Sequence, residues 1–231
     1  MSFNFDLVWS SLPLIVQGLW MTLALLFLSS AIGLVLAVFI LLLRISGRWY
    51  LTWPAMAYIY FFRGTPLLVQ IFVIYHGLPQ FEFIRSSIFW PILREPFGCA
   101  VLALSLNAGA YVSEIMRGGI LGVDKGVKEA AMALGLPRWQ QFIYVTSPIA
   151  IRLALPAYGN EVVSMLKATA LASTITMMEM TGVARTLVAR TFAPYEIFIS
   201  AAIIYLSLTY VFQQAFALIE ARISRYVKKE R

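Results

Sequence analysis

Residues 7–43 read LVWSSLPLIVQGLWMTLALLFLSSAIGLVLAVFILLL and contain no charged side chain. About 20 apolar residues in a helix cross the hydrocarbon core of a bilayer, so this run holds one complete span with residues to spare. The surplus, residues 7–12, is expected to lie in the membrane interface ahead of the span. A cleavable export signal is not expected here, because no positive region precedes the apolar run and Asp6 is the only early charge. The rest of the chain agrees with the run. Of 231 residues, 61% are hydrophobic and only 13% charged, with a mean hydropathy of +0.81. Soluble domains carry charge on about a quarter of their residues, so an all-α integral membrane protein is expected.

Four more apolar segments follow. Residues 53–75 are interrupted by Arg63 and Gly64-Thr65-Pro66, whereas the segment between Glu95 and Glu114 is uncharged. Residues 149–166 contain Arg152, Pro156 and Glu161, and residues 197–219 are uncharged. About five transmembrane helices are therefore expected, in one membrane domain spanning 1–231 without internal repeats. Residues 168–195, with Thr174, Thr176, Thr181, Gly182 and Pro194, are too polar and broken for a further span and are expected to form short helices outside.

Basic residues set the orientation. Arg44, Arg48, Arg117, Lys125, Lys128, Arg138, Arg222, Arg225, Lys228, Lys229 and Arg231 fall on one side, against Arg85, Arg94, Arg185 and Arg190 on the other. The positive-inside bias places the N-terminus outside and the C-terminus in the cytoplasm. The net charge of +7 owes much to the tail beside the last span, a juxtamembrane pattern facing membrane lipid rather than nucleic acid. Trp9, Trp49, Tyr50, Trp53, Tyr75 and Trp90 fall at the expected span boundaries, as an interfacial aromatic belt does.

On the cytoplasmic side, residues 126–148 read GVKEAAMALGLPRWQQFIYVTSP. Helical spacing puts Val127, Ala130, Ala131 and Leu134 on one face, a small-residue surface that another protein's backbone can approach closely. Within the spans, a charged side chain costs from about 3 to more than 10 kcal/mol unless it is paired or faces water. Arg63 and Glu161 are both expected near mid-depth, either as an ion pair, with Glu114 as another partner for Arg63, or facing a water-filled path. Glu114 and Arg117 suit a local i,i+3 pair. Pro66 and Pro156 permit kinks or unwound backbone. His76 and Cys99 lack the companions a metal or nucleophile site requires, and no metal site is expected. Met177, Met178 and Met180 read as apolar filler.

The loop 124–148 resembles the coupling loop of ABC importer permeases. Glu129-Ala130-Ala131 and Gly135 match the family's box, while Val145 stands for an isoleucine and Ser147-Pro148 for Leu-Pro. Phe62-Arg63-Gly64-Thr65-Pro66-Leu67, Leu106-Asn107, Ala110-Tyr111, Glu114-Ile115, Leu155-Pro156-Ala157-Tyr158 and Asn160-Glu161-Val162 resemble the polar amino acid permeases. Among those, the chain is most similar to importers of histidine, lysine, arginine and ornithine or of opines. The resemblance implies a type I importer permease fold, with Glu129, Ala130, Ala131, Leu134 and Gly135 docking onto an ATPase. It also implies a homologous permease partner in a heterodimer, two ATPase subunits that bind ATP and magnesium, and a periplasmic substrate-binding protein. This chain itself is expected to bind no cofactor and to hydrolyse nothing. A cargo with a cationic side chain needs an acceptor, for which Glu161 is the first candidate, with Asn160 and Ser164 as neutral partners and Arg63 as a second charged contact. The competing readings are a membrane-embedded enzyme using Glu114, Glu161 or His76 as acid or base, and a channel-type structural subunit.

Overall fold

The long uncharged run divides at Gln17-Gly18. Helix α1, Phe5–Val16, is capped by the Asn4 side chain accepting from the Leu7 amide at 3.1 Å, and α2 follows as Leu19–Ile45. The computed structural model describes residues 3–224, and every regular element in them is helical. Arg225, Lys228, Lys229 and Arg231, counted in the charge bias, lie outside the described residues.

After α2 come α3, Trp49–Gly64, and α4, Leu67–Phe72. A π-helical turn, Val73–Gly77, and a 3-10 turn, Leu78–Gln80, extend α4. Two single turns, α5 (Glu82–Arg85) and α6 (Trp90–Leu93), lead to the long α7, Pro96–Leu121. The loop helix is α8, Lys125–Ala133, followed by the short α9, Arg138–Gln140, and a π segment, Gln141–Thr146. Helix α10 is Ser147–Ala168, continuous through Pro156. A 3-10 segment, Thr169–Ile175, and α11, Met180–Thr191, occupy the region expected to hold short helices, and α12, Pro194–Ser224, closes the chain.

Helices α2, α7 and α12 are long and apolar enough to cross a membrane, and α3 with the α4 segment makes a fourth crossing if the bent pair counts as one. The bend between them is 105°. Helix α10, with 22 residues, is about 33 Å long at 1.5 Å per residue, but Arg152, Glu161 and Lys167 keep it from qualifying by composition. It packs against α7 and α12.

Helix α7 forms the centre because its residues are small. Ala100, Ala103, Ser105, Ala108 and Ala110 are buried on it, which lets neighbouring backbones approach without bulky side chains between them. At its crossing with α2 the approach is so close that a Cβ on Gly33 would sit 2.7 Å from the Ala108 Cβ. Leu25 and Leu26 of α2, Ile71 of α4, Leu104 of α7 and Leu166 of α10 complete this core. A smaller cluster of Ile15, Met180, Ala184, Ile197 and Ala201 joins α1, α11 and α12. The methionines differ in role: Met177 and Met180 are buried filler, whereas Met178 is exposed.

Beside that second cluster, Glu179 is fully buried. Its carboxylate accepts from the Thr181 amide at 2.9 Å, the Gly182 amide at 2.8 Å and the Tyr205 hydroxyl at 2.8 Å. Burial holds this carboxyl above its usual range, and the hydrogen bonds offset only part of that rise. Two of those donors are orphan amides in the first turn of α11, where a side-chain oxygen and a negative charge are both favourable.

Candidate functional site: a polar cavity beside a broken helix

Proline lacks an amide hydrogen and disfavours helical backbone in the residue before it. At Pro66 the consequence is complete. Thr65 is extended, with φ −110° and ψ 144°, and α3 stops at Gly64. Breaking a helix at membrane depth frees carbonyls that lipid cannot satisfy. Here the Phe62 carbonyl accepts from Gln70 Nε2 at 2.9 Å and from Asn107 Nδ2 at 3.0 Å. The Thr65 carbonyl accepts from Gln70 Nε2 at 3.0 Å, and Asn107 Nδ2 also donates to Gln70 Oε1 at 3.2 Å. Two amide side chains therefore hold the break open in one geometry. Tyr58 fastens α3 to α7 by donating to the Leu106 carbonyl at 2.6 Å. Gln70 and Tyr58 were not singled out from the sequence. An amide in an apolar helix four residues after a proline was the signal available for Gln70.

A cavity of about 450 Å³ lies against this break, lined in part by Arg63, Thr65, Asn107, Tyr111, Glu161 and Ser164. A second, of about 400 Å³, is lined in part by Arg44, Tyr60, Arg63, Tyr111, Glu114 and Arg117. Both include Arg63, Gly64 and Tyr111 in their walls. Arg63 and Glu161 each lie fourteen residues beyond the start of their helices at Trp49 and Ser147, about 21 Å along the axis. They are thus at matching depth along their helices.

The expected ion pair of Arg63 with Glu161 or Glu114 is not formed: among the described residues, every ion pair within 4.0 Å involves other arginines. Arg63 instead lies over the Tyr111 ring, 5.0 Å from its centroid, a cation–π contact that holds a guanidinium without neutralising it. Glu114 is already engaged. Arg117 grips it from Nε at 3.0 Å and Nη2 at 2.7 Å, the expected i,i+3 pair, and Arg44 approaches from α2 at 3.5 Å. Asn160 is exposed on α10 and is absent from the wall of either cavity, so the structure brings Glu161, Ser164 and Arg63 together without it. His76 is exposed in the π turn, beside Tyr75. Cys99 is buried and donates to the Leu93 carbonyl at 3.0 Å.

The loop helix stands away from this site. Asp124 caps it, accepting from the Gly126 amide at 2.7 Å, and Lys128 donates to the Ile120 carbonyl at 3.2 Å, tying α8 to the end of α7. Of the expected face only Ala131 turns inward, being 4% exposed. Glu129, Ala130 and Val127 are exposed, and Leu134 is 79% exposed just past the last turn. Gly135 follows with φ +72°, the left-handed conformation that ends the helix. Its amide bonds to the Met132 carbonyl and the Leu136 amide to the Ala131 carbonyl.

Known proteins share both the sequence and the architecture. A family model described as "Binding-protein-dependent transport system inner membrane component" matches residues 33–225. The chain is 49% identical over 220 residues to the octopine transport system permease protein OccM of Rhizobium meliloti, covering 95% of this chain and 90% of that one. It is 42% identical over 212 residues to the histidine/lysine/arginine/ornithine transport system permease protein HisM of Escherichia coli K12, covering 91% and 89%. A crystal structure of an amino acid ABC transporter with histidines superposes with a TM-score of 0.86 at 39% identity, covering 96% of this chain and all of that one. Taken with the helical architecture and its broken span, these similarities establish that the chain belongs to the family of binding-protein-dependent transport system inner membrane components, as an ABC importer permease with the type I fold.

Proposed function

We propose that this inner-membrane permease carries a cationic amino acid or an opine, accepting it from a periplasmic binding protein and releasing it inward. The observation that carries the reading is the cavity shared by Glu161, Ser164 and Arg63 beside the broken helix. An amino acid with a basic side chain presents one cationic end and one carboxylate. Glu161 offers an acceptor for the former, and Arg63, whose charge is only stacked on Tyr111, offers a donor for the latter. Asn160 sits outside this cavity and is assigned no contact there.

In this reading α10 is the fifth span, the N-terminus faces outward and the C-terminus the cytoplasm. Glu129, Ala130, Leu134 and Gly135 then present the exposed end of α8 to one of two ATPase subunits, which bind ATP and magnesium and perform the hydrolysis, while Ala131, buried, is assigned no direct contact. A homologous permease completes the path as a heterodimer. Similarity to the octopine and to the histidine, lysine, arginine and ornithine permeases supports the cargo class.

Uptake of radiolabelled arginine by cells expressing the whole system tests the site. A hydrogen bond to a charged group is worth about 1.5–3 kcal/mol, so Glu161→Gln is expected to weaken uptake at least about tenfold with the protein still in the membrane. Uptake at the parental rate would remove Glu161 from the path.

A further inference from the structure

The face of α7 turned away from the polar cavities borders a third cavity, of about 440 Å³, whose walls are apolar except for Ser147 and Tyr158. Val112, Met116 and Ile120 line it, about half a helical turn round from Asn107, Tyr111 and Glu114. On α2 the wall runs from Leu34 to Ile45, and on α10 from Ser147 to Tyr158. Each stretch advances eleven residues, about 16 Å along a helix, close to the half-thickness of about 15 Å of a hydrocarbon core. Ile45 is the last residue of α2 and Ser147 the first of α10, so the groove opens at one membrane surface and stops near mid-depth. It is also open sideways: Leu34, Val38, Leu42, Ile45 and Ile151 on its rim are 37–58% exposed. The surface end carries positive charge. Lys128 Nζ donates to the carbonyl of Ile120, a wall residue, at 3.2 Å. An ammonium has two further N–H donors, and none of the ion pairs among the described residues involves Lys128. Arg48, exposed three residues beyond Ile45, adds a second cation.

We infer that this groove binds one acyl chain of an anionic phospholipid, with the lipid phosphate held by Lys128 at the surface end. An apolar slot one leaflet long fits a chain that enters from the headgroup region and ends at the bilayer midplane. A membrane-spanning helix of another subunit would cross the full thickness and overrun it. The cations at the mouth favour an anionic headgroup over a zwitterionic one. Because Lys128 belongs to α8, the bound headgroup also braces the loop helix against the membrane. The occupant is independent of the cargo, whose cavities lie on the other face of α7.

Native mass spectrometry tests this on the permease purified in detergent with the subunits that accompany it, titrated with phosphatidylglycerol or with phosphatidylcholine of the same acyl chains. The tightest-binding phosphatidylglycerol is expected to have a Kd about fivefold below that of phosphatidylcholine, the contribution of one cation at the membrane surface. Lys128→Gln should abolish that preference and leave the phosphatidylcholine Kd unchanged. Val38→Trp, which fills the groove from an exposed position, should weaken both lipids about tenfold. Equal affinity for the two lipids in the parental protein, a preference that survives Lys128→Gln, or unchanged binding in a Val38→Trp protein with the parental melting temperature would each overturn the site. Val38→Cys addresses the rival occupant. A bifunctional maleimide crosslink from this thiol to an accompanying permease would make the groove a protein interface and overturn the lipid site, whereas labelling without a crosslink supports it.

Discussion

Gly135 shows how one residue carries two kinds of information. Its match to the family box suggests contact with an ATPase, while the backbone supplies a reason of its own: φ is +72°, which costs a residue with a Cβ about 1–2 kcal/mol. Nothing lies within 4 Å of an added Cβ, so a larger side chain meets no clash inside this chain. Gly135→Trp is therefore expected to leave the protein in the membrane but to abolish uptake, by distorting the end of α8 and filling the space an ATPase needs. Parental uptake alongside normal membrane levels would count against docking at this position. Arg63 gives the opposite lesson. Its expense in a span was plain from the sequence, but a charge cannot announce its partner, and the partner turned out to be an aromatic ring on α7 rather than a carboxylate.

At the level of elements, the broken span and the α11 cap both depend on polar groups satisfying backbone. Pro66 marked a place where the helix can break, because the loss of an amide hydrogen is a local property. Pro156 looks alike in sequence and yet leaves α10 continuous. At Pro66 a pair of amides, Gln70 and Asn107, donates to the freed Phe62 carbonyl from 8 and 45 residues away. Glu179 plays the corresponding part for α11. Glu179→Ala removes the acceptor for two helix amides and a partly buried tyrosine hydroxyl, and caps of this kind are worth about 0.5–2 kcal/mol. The purified protein is expected to melt several degrees lower, with Glu179→Gln recovering part of the loss through its remaining oxygen. An unchanged melting temperature for Glu179→Ala would show that the network adds no stability.

For the whole molecule, the decisive quantity is which side of the membrane each end faces. Arg44 on the last turn of α2 meets Glu114 near the end of α7, so these two helices run in the same direction and deliver the α8 segment to the side where α2 ends. The excess of basic residues in the sequence on that side is the ground on which it is proposed to be cytoplasmic. Because Cys99 is the only cysteine and is buried, a single introduced thiol can report on this directly. Leu134→Cys, at a position 79% exposed, is expected to react with a membrane-impermeant maleimide in inside-out vesicles and not in intact spheroplasts. The reverse pattern would invert the topology and detach the loop from any cytoplasmic motor.

The sequence by itself determined what depends on neighbours along the chain. Apolar run length specified long helices, Pro66 permitted a break, and three-residue spacing specified the Glu114–Arg117 pair. Each follows from the period of a helix and the chemistry of a few adjacent residues. Only the tertiary structure decided that Arg63 stacks on Tyr111, that Arg44 reaches Glu114, and that Glu161 lines a cavity from which Asn160 is turned away. Those outcomes depend on how α2, α3, α7 and α10 rotate against one another. Packing of small residues on α7 sets that rotation through contacts between segments far apart in the chain, where no local pattern reports on them.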